Sequence, residues 1–186
     1  MIIGEHVRLR AVEKDDLPRF VAWFNDPDVR RNLLIYQPLS MGQEEKWYQD
    51  MLSRPIDEQP LCIEVLEDND WVVIGDAGFL NINPHDRSAE LGISLGDKRY
   101  WDQGFGTESV RLLVEHGFNQ MNLNRIFLHV FETNLHGIRC YEKVGFKHEG
   151  RLREARYLDG RYIDVLVMSI LKHEWKKTEI KDGGSQ

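Results

Sequence analysis

Residues 89–123 read AELGISLGDKRYWDQGFGTESVRLLVEHGFNQMNL, and the fold follows from the changes of pattern within them. Ala89, Leu91, Ile93 and Leu95 alternate with Glu90, Gly92 and Ser94. That is the period of a strand with one apolar face, its other face offering a carboxylate and empty space. From Gly104 the period changes. Val110, Leu113, Val114, Gly117 and Phe118 recur at helical spacing, which predicts a helix over Gly104–Leu123 with one buried stripe. Between strand and helix lies Trp101-Asp102-Gln103-Gly104-Phe105-Gly106-Thr107. Glycines there let the backbone bend tightly, so that several N–H groups converge at a helix N-terminus, a setting suited to phosphate or pyrophosphate. The same spacing also serves an ordinary strand-to-helix turn. No Lys-Ser or Lys-Thr pair follows it, which excludes a Walker-type phosphate loop.

Working outward, Ile126, Leu128 and Val130 alternate as a strand, and Leu135–Val144 reads as a helix stopped by Gly145. The chain then predicts a hairpin, Arg153–Leu158 and Tyr162–Leu171, around the turn Asp159-Gly160. Upstream, His6–Ala11 is the first strand, and Asp15 or Asp16 is placed to cap a helix carrying Leu17, Phe20, Val21 and Phe24. Asp26-Pro27 starts a short turn, and Ser40 with Gln43 forms a capping box for a helix that buries Trp47, Met51 and Leu52. Strands Leu61–Glu67 and Trp71–Ile82 flank the turn Asp68-Asn69-Asp70. This order describes one α/β (α+β) domain over residues 1–175. Its sheet is mixed, mostly antiparallel and of about seven strands, with helices on both faces, and residues 176–186 form a flexible C-terminal tail.

The chain has 186 residues, with Lys+Arg 24 against Asp+Glu 31 and a formal net charge of −7. An acidic balance argues against a general nucleic-acid binder, which needs a basic face. Apolar runs such as Trp71–Ile74 and Val165–Met168 fall far short of the roughly 20 residues that cross a bilayer. No basic-then-apolar leader precedes the strand-like start, so a cytoplasmic protein is expected. Cys62 and Cys140 lie far apart in apolar patterns and read as buried thiols. The histidines show no H-x-x-x-H spacing, so no metal is expected.

The second informative stretch is Asn134-Leu135-His136-Gly137-Ile138-Arg139-Cys140-Tyr141-Glu142-Lys143-Val144-Gly145-Phe146. Taken singly, Asn134 is a helix cap, Tyr141 a core aromatic or a catalytic acid, and Lys143 a solvated charge or a phosphate contact. Together with Trp101–Gly106, in which Gly104 and Gly106 fill the glycine places of Q/R-x-x-G-x-G/A, the chain resembles the GNAT family, the Gcn5-related N-acetyltransferases. Trp101 stands where that family usually has Gln or Arg. The downstream pattern N-x-x-[AG]-x-x-x-Y-x-K-x-G-F is matched by Asn134, Gly137, Tyr141, Lys143, Gly145 and Phe146. The likeness is closest to the branch holding spermidine acetyltransferases and acetylases of ribosomal-protein N-termini.

That resemblance implies a V-shaped splay between the strands Ala89–Leu95 and Ile126–Val130, filled by acetyl-CoA as cosubstrate. The pantetheine arm would lie along Ile93, Ser94 and Leu95. The pyrophosphate would rest on Trp101, Asp102, Gln103, Gly104, Phe105, Gly106 and Thr107. Asn134 would touch the cofactor near its thioester, Gly137 would leave room for it, and Lys143 would meet its outer phosphates. Tyr141 matches the family's general acid. Deprotonating an amine of pKa ~10.4 needs a base. Glu90 on its strand's open face is the candidate, beside its plainer reading as an ion pair. The implied reaction passes the acetyl group to a primary amine through a ternary complex. The acceptor is open: a polyamine, a protein N-terminus or lysine, or an amino sugar or antibiotic. Polyamine enzymes carry acidic residues where this chain has Leu34-Ile35-Tyr36-Gln37-Pro38. The alternative is a non-catalytic acyl-CoA-binding or sensing module. The edge strand of the last hairpin suggests a homodimer.

Overall fold

A computed structural model describes residues 1–175; the expected tail, 176–186, lies outside the described residues. The strands are β1 (Ile2–Ile3), β2 (Val7–Ala11), β3 (Leu61–Glu67), β4 (Asp70–Asn83), β5 (Ser88–Leu95), β6 (Arg125–Phe131), β7 (Lys147–Leu158) and β8 (Arg161–Leu171). The helices are α1 (Leu17–Phe24), α2 (Pro27–Arg30), α3 (Met41–Leu52), α4 (Phe105–Asn119) and α5 (Leu135–Val144). The strands form one 8-stranded sheet in the order β1-β2-β3-β4-β5-β6-β8-β7. Every pairing is antiparallel except β5 with β6, which α4 connects as a crossover. The count exceeds the expected seven because Ile2–Ile3 pairs separately with Arg8 and Leu9.

Each face of the sheet carries its own core. On one face the expected α4 stripe, Val110, Leu113, Val114 and Phe118, packs on Val7, Leu9, Ile63, Phe79 and Ile126. On the other, Leu17, Phe20 and Met51 from α1 and α3 cover Cys62 and Val73. Gly117 is fixed by this packing, since a Cβ there would come within 2.9 Å of both Ile126 and Phe79. Two turns work as the sequence predicts, with Asp68 and Asn69, then Asp159 and Gly160, all at positive φ, the backbone that tight hairpins require. Ser40 and Gln43 close the capping box of α3, each side chain bonding the other's main chain.

Three expectations need correction. β7 begins at Lys147 rather than Arg153. Its exposed, charged start hides the alternation that sequence reading needs. The long helix stops at Asn119 instead of reaching Leu123, and Asn122 takes a left-handed turn beyond it. Asp16 does not cap α1. Its carboxylate instead takes two hydrogen bonds from Arg10, Nη1 at 2.7 Å and Nη2 at 2.8 Å, and accepts the Glu13 N–H. Arg10 also reaches Glu64 at 2.8 Å, and Cys62 Sγ donates to Asp16 at 3.3 Å. A residue 2 % exposed is thus satisfied by a partner on the neighbouring strand.

Burial pushes the Asp16 carboxyl up, yet the bonds from Arg10, Glu13 and Cys62 outweigh it and hold the group below its ordinary value. A depressed carboxyl stabilises the fold above its unfolded pKa, and that contribution is lost as pH falls through the folded value. Denaturant unfolding is therefore expected to show stability declining as the pH drops below about 4. Asp16→Asn should lower stability at neutral pH and flatten this acid limb. A variant as stable as wild type at neutral pH refutes the assignment.

Candidate functional site

β5 and β6 pair only at Ser88↔Arg125, Ala89↔Ile126 and Glu90↔Phe127. Beyond these, β5 runs to Leu95 held by β4, and β6 runs to Phe131 held by β8, so the two strands part. The expected splay is therefore present. It opens a cleft of about 1130 Å³, lined by Gly92–Leu95 on one side and His129–Phe131 on the other. That exceeds the ~300–1,000 Å³ usual for small-molecule pockets and suits a long ligand with a second molecule beside it.

At one end of the cleft lies the glycine loop. Asp102 and Gly104 both have positive φ, 59° and 91°, and Gly104 caps α4. Nothing lies within 4 Å of a Cβ built on Gly104, so the space before this helix end is open. The first intrahelical bond runs from the Glu108 N–H to the Gly104 carbonyl, which leaves the N–H groups of Phe105, Gly106 and Thr107 ahead of it. Trp101, at the place of the usual Gln or Arg, is pinned by its indole N–H to the Leu95 carbonyl at 2.9 Å. It thereby ties the loop to the end of β5.

Trp101, Asp102, Gly104, Gly106 and Thr107 line the cleft, as do Ile93, Ser94 and Leu95, and Asn134, Gly137, Tyr141 and Lys143. Gln103 and Phe105 do not. The Gln103 amide turns back to the Arg99 carbonyl, and the Phe105 ring packs edge-on against Tyr100 at 6.0 Å. Only their main chain is available to a ligand. Asn134 caps α5, accepting the Gly137 N–H at 2.9 Å. A Cβ on Gly137 would come within 2.7 Å of the Asn134 side chain. The glycine therefore makes room first for that cap.

Tyr141 is 8 % exposed, its ring 5.9 Å from that of Phe146. Burial, with the neighbouring Cys140, pushes its phenol well above the ordinary value, so it stays protonated through the physiological range. Glu90 stands at the last paired position before the strands part. Its Oε1 lies 2.6 Å from His129 Nδ1, and its Oε2 accepts from Asn81 at 2.8 Å. Asn81 has a left-handed φ of 51° within the bulge between Leu80 and Asn83, an irregularity of the kind that re-aims side chains beside functional sites. Glu90 is thus hydrogen-bonded to His129 and Asn81 while it lines the cleft.

Sequence reading missed three cleft residues. His129 looked like one of several scattered histidines, and only strand pairing brings it to Glu90. Asp76 interrupts the apolar run Trp71–Leu80, the signal that pointed to it. Burial first, then the nearby Glu44 charge, pushes its carboxyl up to about 7. Arg156 on β7 lines the same cleft from the far side. Cys62 is buried and Cys140 half-buried, and both are free thiols. No helix among the described residues is long and apolar enough to cross a membrane. Among the described residues no cluster of His, Cys, Asp or Glu is placed to hold a metal ion.

Residues 6–147 match the acetyltransferase (GNAT) domain family. An uncharacterised N-acetyltransferase, p20, of Bacillus licheniformis is 31% identical over 92% of this chain and 96% of its own. The spermidine N(1)-acetyltransferase of Vibrio cholerae is 30% identical over 93% of this chain and 97% of its own. A crystal structure of spermidine N-acetyltransferase from Vibrio cholerae, in complex with CoA and spermine, superposes with a TM-score of 0.81. It is 28% identical and covers 92% of this chain and 98% of the other. With the family match spanning residues 6–147 and these relatives aligned over almost the whole chain, the chain belongs to the GNAT family of acetyltransferases.

Proposed function

We propose that this enzyme transfers the acetyl group of acetyl-CoA to a primary amine by direct attack in a ternary complex. The observation that carries the reading is the parting of β5 and β6 at Glu90 and Phe127, with the glycine loop at one end of the gap and Tyr141 buried against it. An interior strand edge leaves main-chain groups that need partners, and an extended amide-bearing chain provides them as an added strand would. The N–H groups of Phe105, Gly106 and Thr107 would hold the pyrophosphate through the α4 dipole. Lys143, exposed at the cleft rim, adds a positive charge for outer phosphates. The residues present therefore fit the cosubstrate.

Acetyl-CoA supplies an acyl group activated as a thioester. Glu90, oriented by Asn81 and joined to His129, takes the proton from the attacking nitrogen, and the imidazole–carboxylate pair passes it toward solvent. Main-chain N–H groups of the Ile93–Leu95 edge are donors for charge developing on the carbonyl oxygen. Tyr141 gives its proton to the departing sulfur and regains one through the cleft. A phenol pushed up by burial holds its proton more tightly. A sulfur expelled into the same dry pocket is equally reluctant to stay ionised, so the transfer remains matched. Phenol and sulfur share one environment.

Two further parts of the reading are structural. β7 is one of the sheet's two edges among the described residues, and exposed Tyr157 and Tyr162 meet edge-to-face on its hairpin at 5.1 Å. This edge supports a homodimer, and light scattering at micromolar concentration is expected to give twice the monomer mass. A monomer mass refutes it. Gly104→Val forces a β-branched residue into a left-handed position and places its methyls where the loop is open. Acetyl-CoA affinity by calorimetry should fall by tenfold or more in the folded variant. Unchanged affinity sinks the loop assignment.

Tyr141→Phe keeps the ring, so stability and cofactor affinity should survive. Losing a positioned acid should lower kcat by about 10²–10⁴-fold. Thiol release from acetyl-CoA with a panel of amines measures this, and a kcat within about threefold of wild type refutes the role. The same panel decides between an enzyme and a sensing module, which would bind cofactor without turnover.

A further inference from the structure

Among the described residues, two buried side-chain polar atoms lack a hydrogen-bond partner, Asp76 Oδ1 and Arg156 Nε. Both residues line the cleft between β5 and β6. Leaving such an atom unpaired in the interior is costly, and more so when the group is charged. Native proteins carry few, and each calls for an explanation. Here the two carry opposite charges and share one cavity.

Asp76 projects from β4, in register with Cys62 on β3 and Ser94 on β5. Cross-strand partners share a face, so Asp76 lies in a row with Gly78 and Leu80, facing Ser94, Gly92 and Glu90. Gly78 and Gly92 leave the row between Asp76 and Glu90 without bulky side chains, a trough that runs about 13 Å along β5 from Ser94 to Glu90. Glu44 on α3, 4 % exposed, adds negative charge from the covering layer. Arg156 enters from β7 at the register shift after Leu152, opposite Ile163. Its Nη1 donates to the Ala155 carbonyl at 3.3 Å, which fixes the guanidinium and leaves Nε unused.

We propose that the acceptor is a zwitterion: a primary amine drawn in as its ammonium by Asp76, which yields its proton at Glu90 farther along the same trough, and which also carries an anionic group, carboxylate or phosphate, that pairs with Arg156. The inference rests on the acetyltransferase reading and narrows its acceptor. A polycation would satisfy Asp76 but set a positive charge against Arg156. A simple alkylamine would leave the guanidinium unpaired. Arg54 and Glu58 add one charge of each sign to the wall and do not tip it toward a polycation. Leu33, Leu34 and Ile35, which also line it, supply no carboxylate for a second ammonium.

The test uses chain-length series of four amines, an alkylamine, an α,ω-diamine, an ω-amino carboxylate and an ω-aminoalkyl phosphate, with acetyl-CoA and the intact protein. Thiol release gives kcat/KM, and calorimetry on the CoA-loaded protein gives amine binding. One of the anionic-group amines is expected to exceed both the diamine and the alkylamine by about tenfold or more, and whichever does so identifies carboxylate or phosphate. Arg156→Gln should bring that preference down toward unity, Arg156→Lys should keep part of it, and Asp76→Asn should weaken binding of all four. A diamine or alkylamine used as well as the anionic amines overturns the proposal, as does an Arg156→Gln preference equal to wild type, or no binding by any of the four. Acetyl-CoA affinity is measured on the same samples. Its absence counts against the acetyltransferase reading itself, whereas intact cofactor binding without the preference overturns the zwitterion alone.

Discussion

Two parallel strands that stop pairing after Glu90 and Phe127 organise the whole molecule. A sheet interior is normally closed by its own hydrogen bonds, and an open edge there is costly unless something fills it. The chain keeps the edge open by anchoring each strand on its outer side, β5 to β4 through Leu95↔Gly75 and β6 to β8 through Phe131↔Val165. The two halves of the sheet are each well paired, so the gap between them persists as a fixed feature. α4 and α5 tie the halves on one face, where Thr107 and Cys140 approach at 3.5 Å. The glycine loop and Tyr141 are placed by these same two helices. The cleft and the placement of Tyr141 beside it are thus consequences of one interruption in pairing.

The charges follow a similar logic. Arg8, Arg10, Asp16 and Glu64 form a paired set at the other end of the sheet, where each carboxylate has a guanidinium. Within the cleft, by contrast, Asp76 and Arg156 each keep an unpaired atom. A fold able to satisfy Asp16 with two bonds from Arg10 has the means to satisfy buried charge. Withholding it at two cleft positions marks them as groups awaiting a ligand. Glu90 is intermediate, since Asn81 and His129 orient it while it still faces the cavity.

Much of this was legible in the sequence because it depends on local chemistry. The α4 stripe, the Ser40–Gln43 box, the Asp159-Gly160 turn and the glycines before α4 are set by residues a few positions apart. Most residues of the two motifs line the cleft, where small residues at fixed spacing leave the backbone open. What stayed hidden is mostly long-range. Asp16 looked like a helix cap, and although its partner Arg10 stands only six positions upstream on β2, no spacing rule signals that pairing. Glu90 and His129 are 39 positions apart and meet only through parallel pairing. Gln103 and Phe105 belong to the loop pattern, yet their side chains turn away, which spacing alone does not reveal.

The acceptor half was the least legible for a physical reason. On the proposed reading the cofactor is held largely by backbone groups, so its site leaves a signature in glycines. The acceptor would be met by side chains drawn from α1 to α3, β4 and β7, elements remote in sequence, and each side chain is free to vary singly. Leu34-Ile35-Tyr36-Gln37-Pro38 shows this directly: an apolar stretch lies where the resemblance to polyamine enzymes implies acid, and Leu34 and Ile35 face the cleft. Identity near 30% over almost the whole chain is ample to retain the groove while replacing such contacts. An apolar loop on one wall and an arginine on the other differ from what a polycation would need. Fold and family persist at this identity, whereas the few charges on the cleft wall are free to differ and, on the proposed reading, select the amine.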